Sequence, residues 1–294
     1  LDTVPASDNW STNPFEAVIK GKSIYGLGTC DMKGGISAFL MAIQSIKKEK
    51  LRNGLKLYFT FDEEISFRGI EQLLKKDKEI TKYLILAEPT NLFPVIATKG
   101  LMDIEVKFLG KSVHSSVLNK GKNAIVEAIK FTDELLELAK ILEVERNEIF
   151  DIPYATINIG QINGGTAVNV VPNECNLLFD IRTVNDNQNK ILETKIKEML
   201  KSYDAGLSIR VNITAKTNSN NEMIEKMEQI TQNKAKAVNY VTEASFLRNT
   251  DTVILGVGGI TAHEANEHIE IDKLQKLVEI YKRIIEEYCY KERE

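Results

Sequence analysis

Apolar positions recur at three- and four-residue spacing in some stretches and at every second residue in others, and these two rhythms divide the chain. Directly after the glycine pair Gly34-Gly35, the residues Ile36, Phe39, Leu40, Ile43 and Ile46 share one face and predict a helix over 36–48. Residues 55–61 form a short apolar and aromatic run that ends at Asp62-Glu63-Glu64, and residues 83–87 form another that ends at Glu88-Pro89. Short apolar strands separated by helices predict an α/β sheet buried on both faces. Ligands of such sheets sit outside the carboxyl ends of the strands, which is where both acidic clusters fall.

From about residue 100 the rhythm changes. Met102, Ile104, Val106 and Phe108 alternate with Asp103, Glu105 and Lys107, and Leu207, Ile209, Val211 and Ile213 alternate with Ser208, Arg210 and Asn212. Period two is the signature of a half-exposed strand. Helical stretches near 122–142 and 187–202 and strands near 154–161 and 174–182 lie between them, in the β-α-β-β-α-β order of a ferredoxin-like unit. After residue 220 helices and strands alternate again. The last helix places Leu274, Leu277, Val278, Tyr281, Ile284 and Ile285 on one face, with the Tyr281 hydroxyl expected near water. The fold class is therefore α/β, with a catalytic domain of residues 1–99 and 214–294 interrupted by a smaller α+β domain of residues 100–213.

Composition narrows the function classes. The 294 residues carry a formal charge of −4, with 43% hydrophobic and 27% charged residues, a globular balance rather than a disordered one. A mildly acidic chain has no global basic field for nucleic acid, and no run approaches the ~20 apolar residues of a membrane span. Cys30, Cys175 and Cys289 are far apart with no CxxC, which argues against a disulfide scaffold or a thiolate zinc site and points to a cytoplasmic protein. The opening Leu1-Asp2-Thr3-Val4-Pro5 is no signal peptide and reads as the end of a strand entering a turn, so an upstream segment is expected.

Two of the three histidines lie in His263-Glu264-Ala265-Asn266-Glu267-His268. A zincin helix needs HExxH; the i, i+5 spacing here is about 500° of helical rotation rather than about 400°, so the two rings diverge. Asp31, Glu63, Glu64, Glu88 and His263 make a better set, since carboxylates and one imidazole suit zinc, cobalt or manganese. By composition alone Asp-Glu-Glu is usually a solvated turn, and only roughly one such run in ten does chemistry.

Resemblance goes further. Tyr25-Gly26-Leu27-Gly28-Thr29-Cys30-Asp31-Met32-Lys33-Gly34-Gly35, Asp62-Glu63-Glu64, Ala87-Glu88-Pro89-Thr90, His114-Ser115-Ser116 and Ala262-His263 occur in the order found in the M20 family of co-catalytic metallopeptidases and deacylases, after the opening Leu1–Pro5 match. Pro94-Val95 through Lys99-Gly100, Gly121–Ile125 and Val238–Ala244 resemble the acetylornithine deacetylase branch of that family. The resemblance implies a zinc-peptidase-like catalytic domain with an inserted ferredoxin-like lid and dimerisation domain, and deacetylation of N-acetyl-L-ornithine in arginine synthesis. It implies two zinc ions bridged by Asp31, with Glu64 and His263 on one and Glu88 on the other. Glu63 would be the general base, and Asp2 would orient a ligating histidine. His114 would reach the substrate carbonyl, and Asn169 and Arg182 would hold its carboxylate, for which a guanidinium fork is well shaped. Glu243 is expected to face the ornithine amine. His268 and Cys30 are read as structural, and Arg182 could instead pair with Asp180.

The family motif is His-x-Asp, and the chain begins one residue after that histidine, so the second zinc site is expected to be incomplete and the chain to hold one ion tightly. The expected partners are a small N-acyl amino acid and a second copy of the chain, with neither nucleic acid nor membrane. A sister enzyme such as succinyl-diaminopimelate desuccinylase would share every metal residue, and a truncated, non-catalytic binding module is the alternative from another class.

Overall fold

The structure is a computed structural model and describes residues 2–290. Leu1 and residues 291–294, which fall in the opening motif and the last segment of the expected catalytic domain, lie outside the described residues. The chain forms two compact units, one of Leu1–Ile96, Asn218–Lys236 and Thr242–Glu294, the other of Ala97–Thr217 and Ala237–Val241. In chain order the elements begin with β1 (Val18–Lys20), β2 (Ser23–Tyr25), α1 (Gly34–Ser45), α2 (Arg68–Lys76), β3 (Tyr83–Leu86) and β4 (Val95–Thr98). Then come β5 (Gly100–Leu109), α3 (Ala124–Leu142), β6 (Thr156–Gly164), β7 (Glu174–Thr183), α4 (Gln188–Leu200) and β8 (Ala205–Ile213). The chain closes with β9 (Lys216–Thr217), α5 (Asn221–Thr231), β10 (Lys236–Val238), β11 (Asp251–Ile254), β12 (His268–Glu270) and α6 (Ile271–Cys289).

In the first unit, β3 and β11 pair in parallel over their whole length, while β4 meets β11 antiparallel at Val95 and Ile254. The sheet is mixed rather than wholly parallel. Helix α1 presents a buried face of small residues, Gly34, Gly35, Ala38 and Ala42. A Cβ on Gly35 would collide with the Ala87 carbonyl oxygen, so only glycine lets the helix start press against the end of β3 that carries Glu88. Farther along α1, Phe39 stacks on Tyr281 of α6 with ring centroids 3.7 Å apart. Tyr281 differs from expectation. Its residue is fully buried, and its hydroxyl donates to the Leu255 carbonyl instead of reaching water.

The expected strand over 55–61 is absent. These residues carry no strand ladder, and Leu55, Leu57, Phe59 and Phe61 are 37%, 40%, 51% and 46% exposed. The residue types suit a strand, but a strand exists only through hydrogen bonds to a neighbour. Side chains hold the segment instead: Lys56 and Tyr58 reach Asp77 at 3.1 and 2.8 Å, and Thr60 donates to Glu243 at 2.9 Å. β3 also keeps partly exposed residues at Tyr83, Leu84 and Ile85, so its expected burial on both faces is not realised.

The second unit is an antiparallel sheet in the order β6-β7-β5-β8. Numbered within the unit this is 4-1-3-2 read from β8, the ferredoxin-like arrangement. Met102, Ile104, Val106 and Phe108 of β5 and Cys175, Leu177, Phe179 and Ile181 of β7 form a core with Phe131 and Leu135 of α3 and Leu192 and Ile196 of α4. Asn123, part of the stretch that resembles deacetylases, acts structurally. Its side-chain oxygen accepts the Ile125 and Val126 amides at 3.0 and 3.2 Å and caps α3.

Candidate active site

Three loops of the first unit carry the acidic cluster and its histidine. The first follows Gly28, whose φ of 79° suits glycine, and carries Asp31 in a turn just ahead of α1; the Asp31–Met32 peptide bond is cis. The second is the turn after the 55–61 segment, where Asp62 (φ 63°) binds Arg68 at 2.7 Å and also accepts from Ser66. With Asp62 occupied by the turn, Glu63 and Glu64 are left for the cavity. The third runs from Gly256 to Glu267 and holds His263 at φ 64°, a left-handed conformation that histidine adopts more readily than most side chains.

His263 Nε2 lies 3.3 Å from Asp31 Oδ2 and 3.3 Å from Glu64 Oε2. One donor atom from each of these three residues falls within 4.8 Å of the others, the spacing of a shared ion. Glu88, 5% exposed just after β3, is close enough to Asp31 for the two carboxyl groups to influence each other. Asp2 accepts the Glu64 backbone N–H at 3.3 Å, which ties the chain start to the Glu63-Glu64 turn.

The electrostatics favour a cation. Asp2, Asp31, Glu63, Glu64, Glu88 and Glu243 all line one cavity, whose walls are apolar side chains such as Leu57, Phe59 and Ile85. Burial, then repulsion from Glu64, Asp31, Glu243 and Asp2, pushes the Glu63 carboxyl up to about 8. Burial followed by the charges of Asp31 and Glu63 drives Glu88 well above the usual carboxylate range, and Glu64 and Glu243 are raised mainly by burial. Asp2 departs from its neighbours: burial would raise it, but the backbone N–H groups of Asp2, Glu64 and Glu63 hold it low. A carboxylate cluster with one imidazole fits a divalent ion, and Asp31, Glu64 and His263 are spaced to share one.

The remaining sequence candidates divide between the units. Glu243 is 4% exposed; its Oε2 accepts from Thr60, and its Oε1 has no hydrogen-bond donor among the described residues. His114, Asn169 and Arg182 belong to the second unit. The His114 Nδ1 accepts the Ser116 amide at 3.2 Å, so the neutral ring carries its proton on Nε2. The Asn169 carbonyl receives the Ser115 N–H at 3.0 Å, and His114 forms a β-bridge with Val170, so this loop and the His114 turn are stitched together. Arg182 pairs with Asp180 at 2.9 Å, which leaves the rest of its half-buried fork open. His268 stacks on Tyr25 at 4.7 Å and stands in β12, outside the ligand triad, as a structural reading requires.

Two residues were invisible as site components in the sequence. Cys30 Sγ accepts the Gly259 N–H at 2.8 Å, which joins the first ligand loop to the third. Glu267, 1% exposed, accepts backbone N–H groups from the same first loop. Only the burial of a glutamate between Asn266 and His268 could have signalled it, and burial is not written in a local pattern.

The sequence model of peptidase family M20/M25/M40 matches residues 1–287. The acetylornithine deacetylase of Photorhabdus laumondii is 32% identical over 301 residues, covering 98% of this chain and 78% of its own length. That of Proteus mirabilis is 33% identical over 304 residues, covering 99% of this chain and 79% of its own. Among solved structures, the M20 family metallo-carboxypeptidase Sso-CP2 of Sulfolobus solfataricus superposes with a TM-score of 0.74 at 22% identity, over 98% of this chain and 83% of its own. Aminopeptidase PepT of Bacillus cereus gives 0.74 at 22% identity, over 92% and 76%. Among the described residues no helix is long and apolar enough to cross a membrane.

Proposed function

Because the chain belongs to peptidase family M20/M25/M40 and is a metal-dependent amide hydrolase, we propose that its substrate is an N-acyl amino acid with a cationic side chain, N-acetyl-L-ornithine, which it splits to acetate and ornithine for arginine synthesis. The observation that carries the substrate reading is Glu243: a buried carboxylate in the cavity with one oxygen that lacks a donor among the described residues, in a chain similar to acetylornithine deacetylases along nearly its whole length. An ammonium group supplies that donor and the opposite charge.

The ion held by Asp31, Glu64 and His263, which we assign as zinc with cobalt or manganese as substitutes, would lower the pKa of water and polarise the acyl carbonyl. Asp31 and Glu88 would hold a second ion where a further ligand completes that position. Glu63 accepts a proton from the attacking water on its carboxylate and returns it to the amide nitrogen as the C–N bond breaks. A carboxyl near 8 in the ion-free cavity reflects an environment that holds a proton close to neutrality. Asp2 holds the backbone of the turn that presents Glu64. On the family resemblance, we assign His114 Nε2–H to the developing oxyanion and Asn169 and Arg182 to the substrate carboxylate. A cytoplasmic homodimer built through the second unit belongs to the same reading.

Amine release from a panel of N-acetylornithine, N-succinyl-diaminopimelate and dipeptides, with the zinc- or cobalt-loaded chain, tests the proposal. The expected result is strong preference for N-acetylornithine, with Glu243→Gln losing that preference over neutral N-acetyl amino acids and Glu63→Gln losing roughly 10²–10⁴-fold in kcat. Equal turnover of ornithine and neutral substrates by the wild type would discard the substrate while keeping the hydrolase.

A further inference from the structure

The Asp31 and His263 donors stand 3.3 Å apart, yet they come from loops more than two hundred residues apart in the chain, and neither loop is part of a strand or an α-helix. Something must fix their separation before an ion arrives. Glu267 lies four residues after His263 on the third ligand loop, and its carboxylate reaches across to the first. Its Oε2 accepts the Gly28 N–H at 2.8 Å, and its Oε1 accepts the Cys30 N–H at 2.7 Å and the Asp31 N–H at 3.0 Å. Its own carbonyl accepts the Gly26 N–H at 3.1 Å.

A carboxylate that is 1% exposed gives up hydration at high cost, and here three convergent backbone dipoles offset it. They belong to the turn whose last member is Asp31 itself. We propose that Glu267 is a positioning residue for the metal site: it clamps the Gly28–Asp31 turn to the His263 loop and so sets the Asp31–His263 spacing for an incoming ion. The inference rests on Asp31, Glu64 and His263 being ligands. The Gly259 N–H bond to Cys30 Sγ is a second, weaker stitch between the same loops.

The chemistry needs a carboxylate rather than any polar side chain. In Glu267→Gln the amide oxygen can still accept from Cys30 and Asp31, but the amide nitrogen then faces the Gly28 N–H, donor against donor. In Glu267→Asp the arm is one methylene shorter and cannot span all three amides. Neither change alters the side chain of a ligand.

The test titrates cobalt into the wild type, Glu267→Gln and Glu267→Asp, following visible ligand-field absorption for affinity and geometry. Zinc affinity comes from competition with a chromophoric chelator, at a temperature where circular dichroism shows each protein folded. Asn189→Ala is the control. Asn189 is buried in the second unit with bonds to Thr183, Asn212 and Ile213, so its loss lowers stability without touching either ligand loop. Cobalt affinity is expected to fall about 10–100-fold in both Glu267 variants, the usual cost of losing a ligand's supporting partner, with an altered absorption band. Asn189→Ala should melt earlier and bind cobalt as the wild type does. Wild-type affinity and spectrum in a folded Glu267 variant would overturn the inference. No cobalt uptake by the wild type would instead overturn the ligand assignment beneath it.

Discussion

Tyr281 and Glu267 show how single residues acquire roles that their neighbours in sequence do not announce. Spacing puts Tyr281 on the apolar face of α6, but whether its hydroxyl meets water depends on what lies above that face. Here the Leu255 carbonyl lies there, just beyond β11. Removing the hydroxyl leaves a buried carbonyl without its donor while the ring stack on Phe39 survives. Tyr281→Phe is therefore expected to cost about 1–3 kcal/mol in urea denaturation, with no change in metal affinity. A cost near zero would mean that the carbonyl finds another donor. The residues of the candidate cluster were legible because their motifs are short and local: Asp31 just ahead of a glycine pair, Glu63-Glu64 after an apolar run, His263 after a glycine-rich loop. Glu267 was not, because its partners lie 236 to 239 positions away in the chain.

At the level of elements, legibility followed the hydrogen-bonding context. The strands β5, β7 and β8 and helices α3 and α4 have two-sided contrast, an apolar face against a polar one, and period alone marks them to within a few residues. Residues 55–61 carry strand composition too, yet composition says nothing about whether a neighbour supplies the ladder. The result is a segment without a ladder whose alternate side chains, Leu55, Leu57, Phe59 and Phe61, are partly exposed, the first three lining the cavity. Exposed apolar side chains on a segment of strand composition are a template for association between copies. Phe61→Lys, at the one of the four that does not line the cavity, is expected to lower light scattering of the concentrated 294-residue chain and leave its melting temperature within about 2 °C, as for a surface change of about 0.5 kcal/mol. Scattering as high as that of the unaltered chain would locate the association elsewhere.

For the molecule as a whole, the candidate site makes stability depend on charge. Glu63, Glu64, Glu88 and Glu243 all have carboxyl groups raised by burial, the last three in direction and Glu63 to about 8 from an ordinary value of 4.5. A group whose folded pKa lies above its unfolded one favours the fold fully below the unfolded value and loses that contribution as pH rises through the folded value. In the ion-free chain the unfolded state therefore releases protons from about pH 4.5, while folded Glu63 keeps its own until near 8 and Glu64, Glu88 and Glu243 keep theirs above the ordinary range. The acids held low, Asp2, Asp62, Asp77, Glu174 and Glu228, act in the opposite sense, but only as pH falls into the ordinary carboxylate range. Between about pH 5 and 8 the cavity term governs, and the melting temperature in chelator is expected to fall steadily across that window and level off above it. A divalent ion reverses the trend, because its ligands must be deprotonated and its charge compensates theirs. With excess zinc the melting temperature should rise from about pH 5 towards neutrality, and the gap between the two curves should widen from about pH 5 to about 8. Parallel curves would show that the ion binds away from these acids, and a flat chelator curve would show that the cavity carboxylates are hydrated rather than buried together.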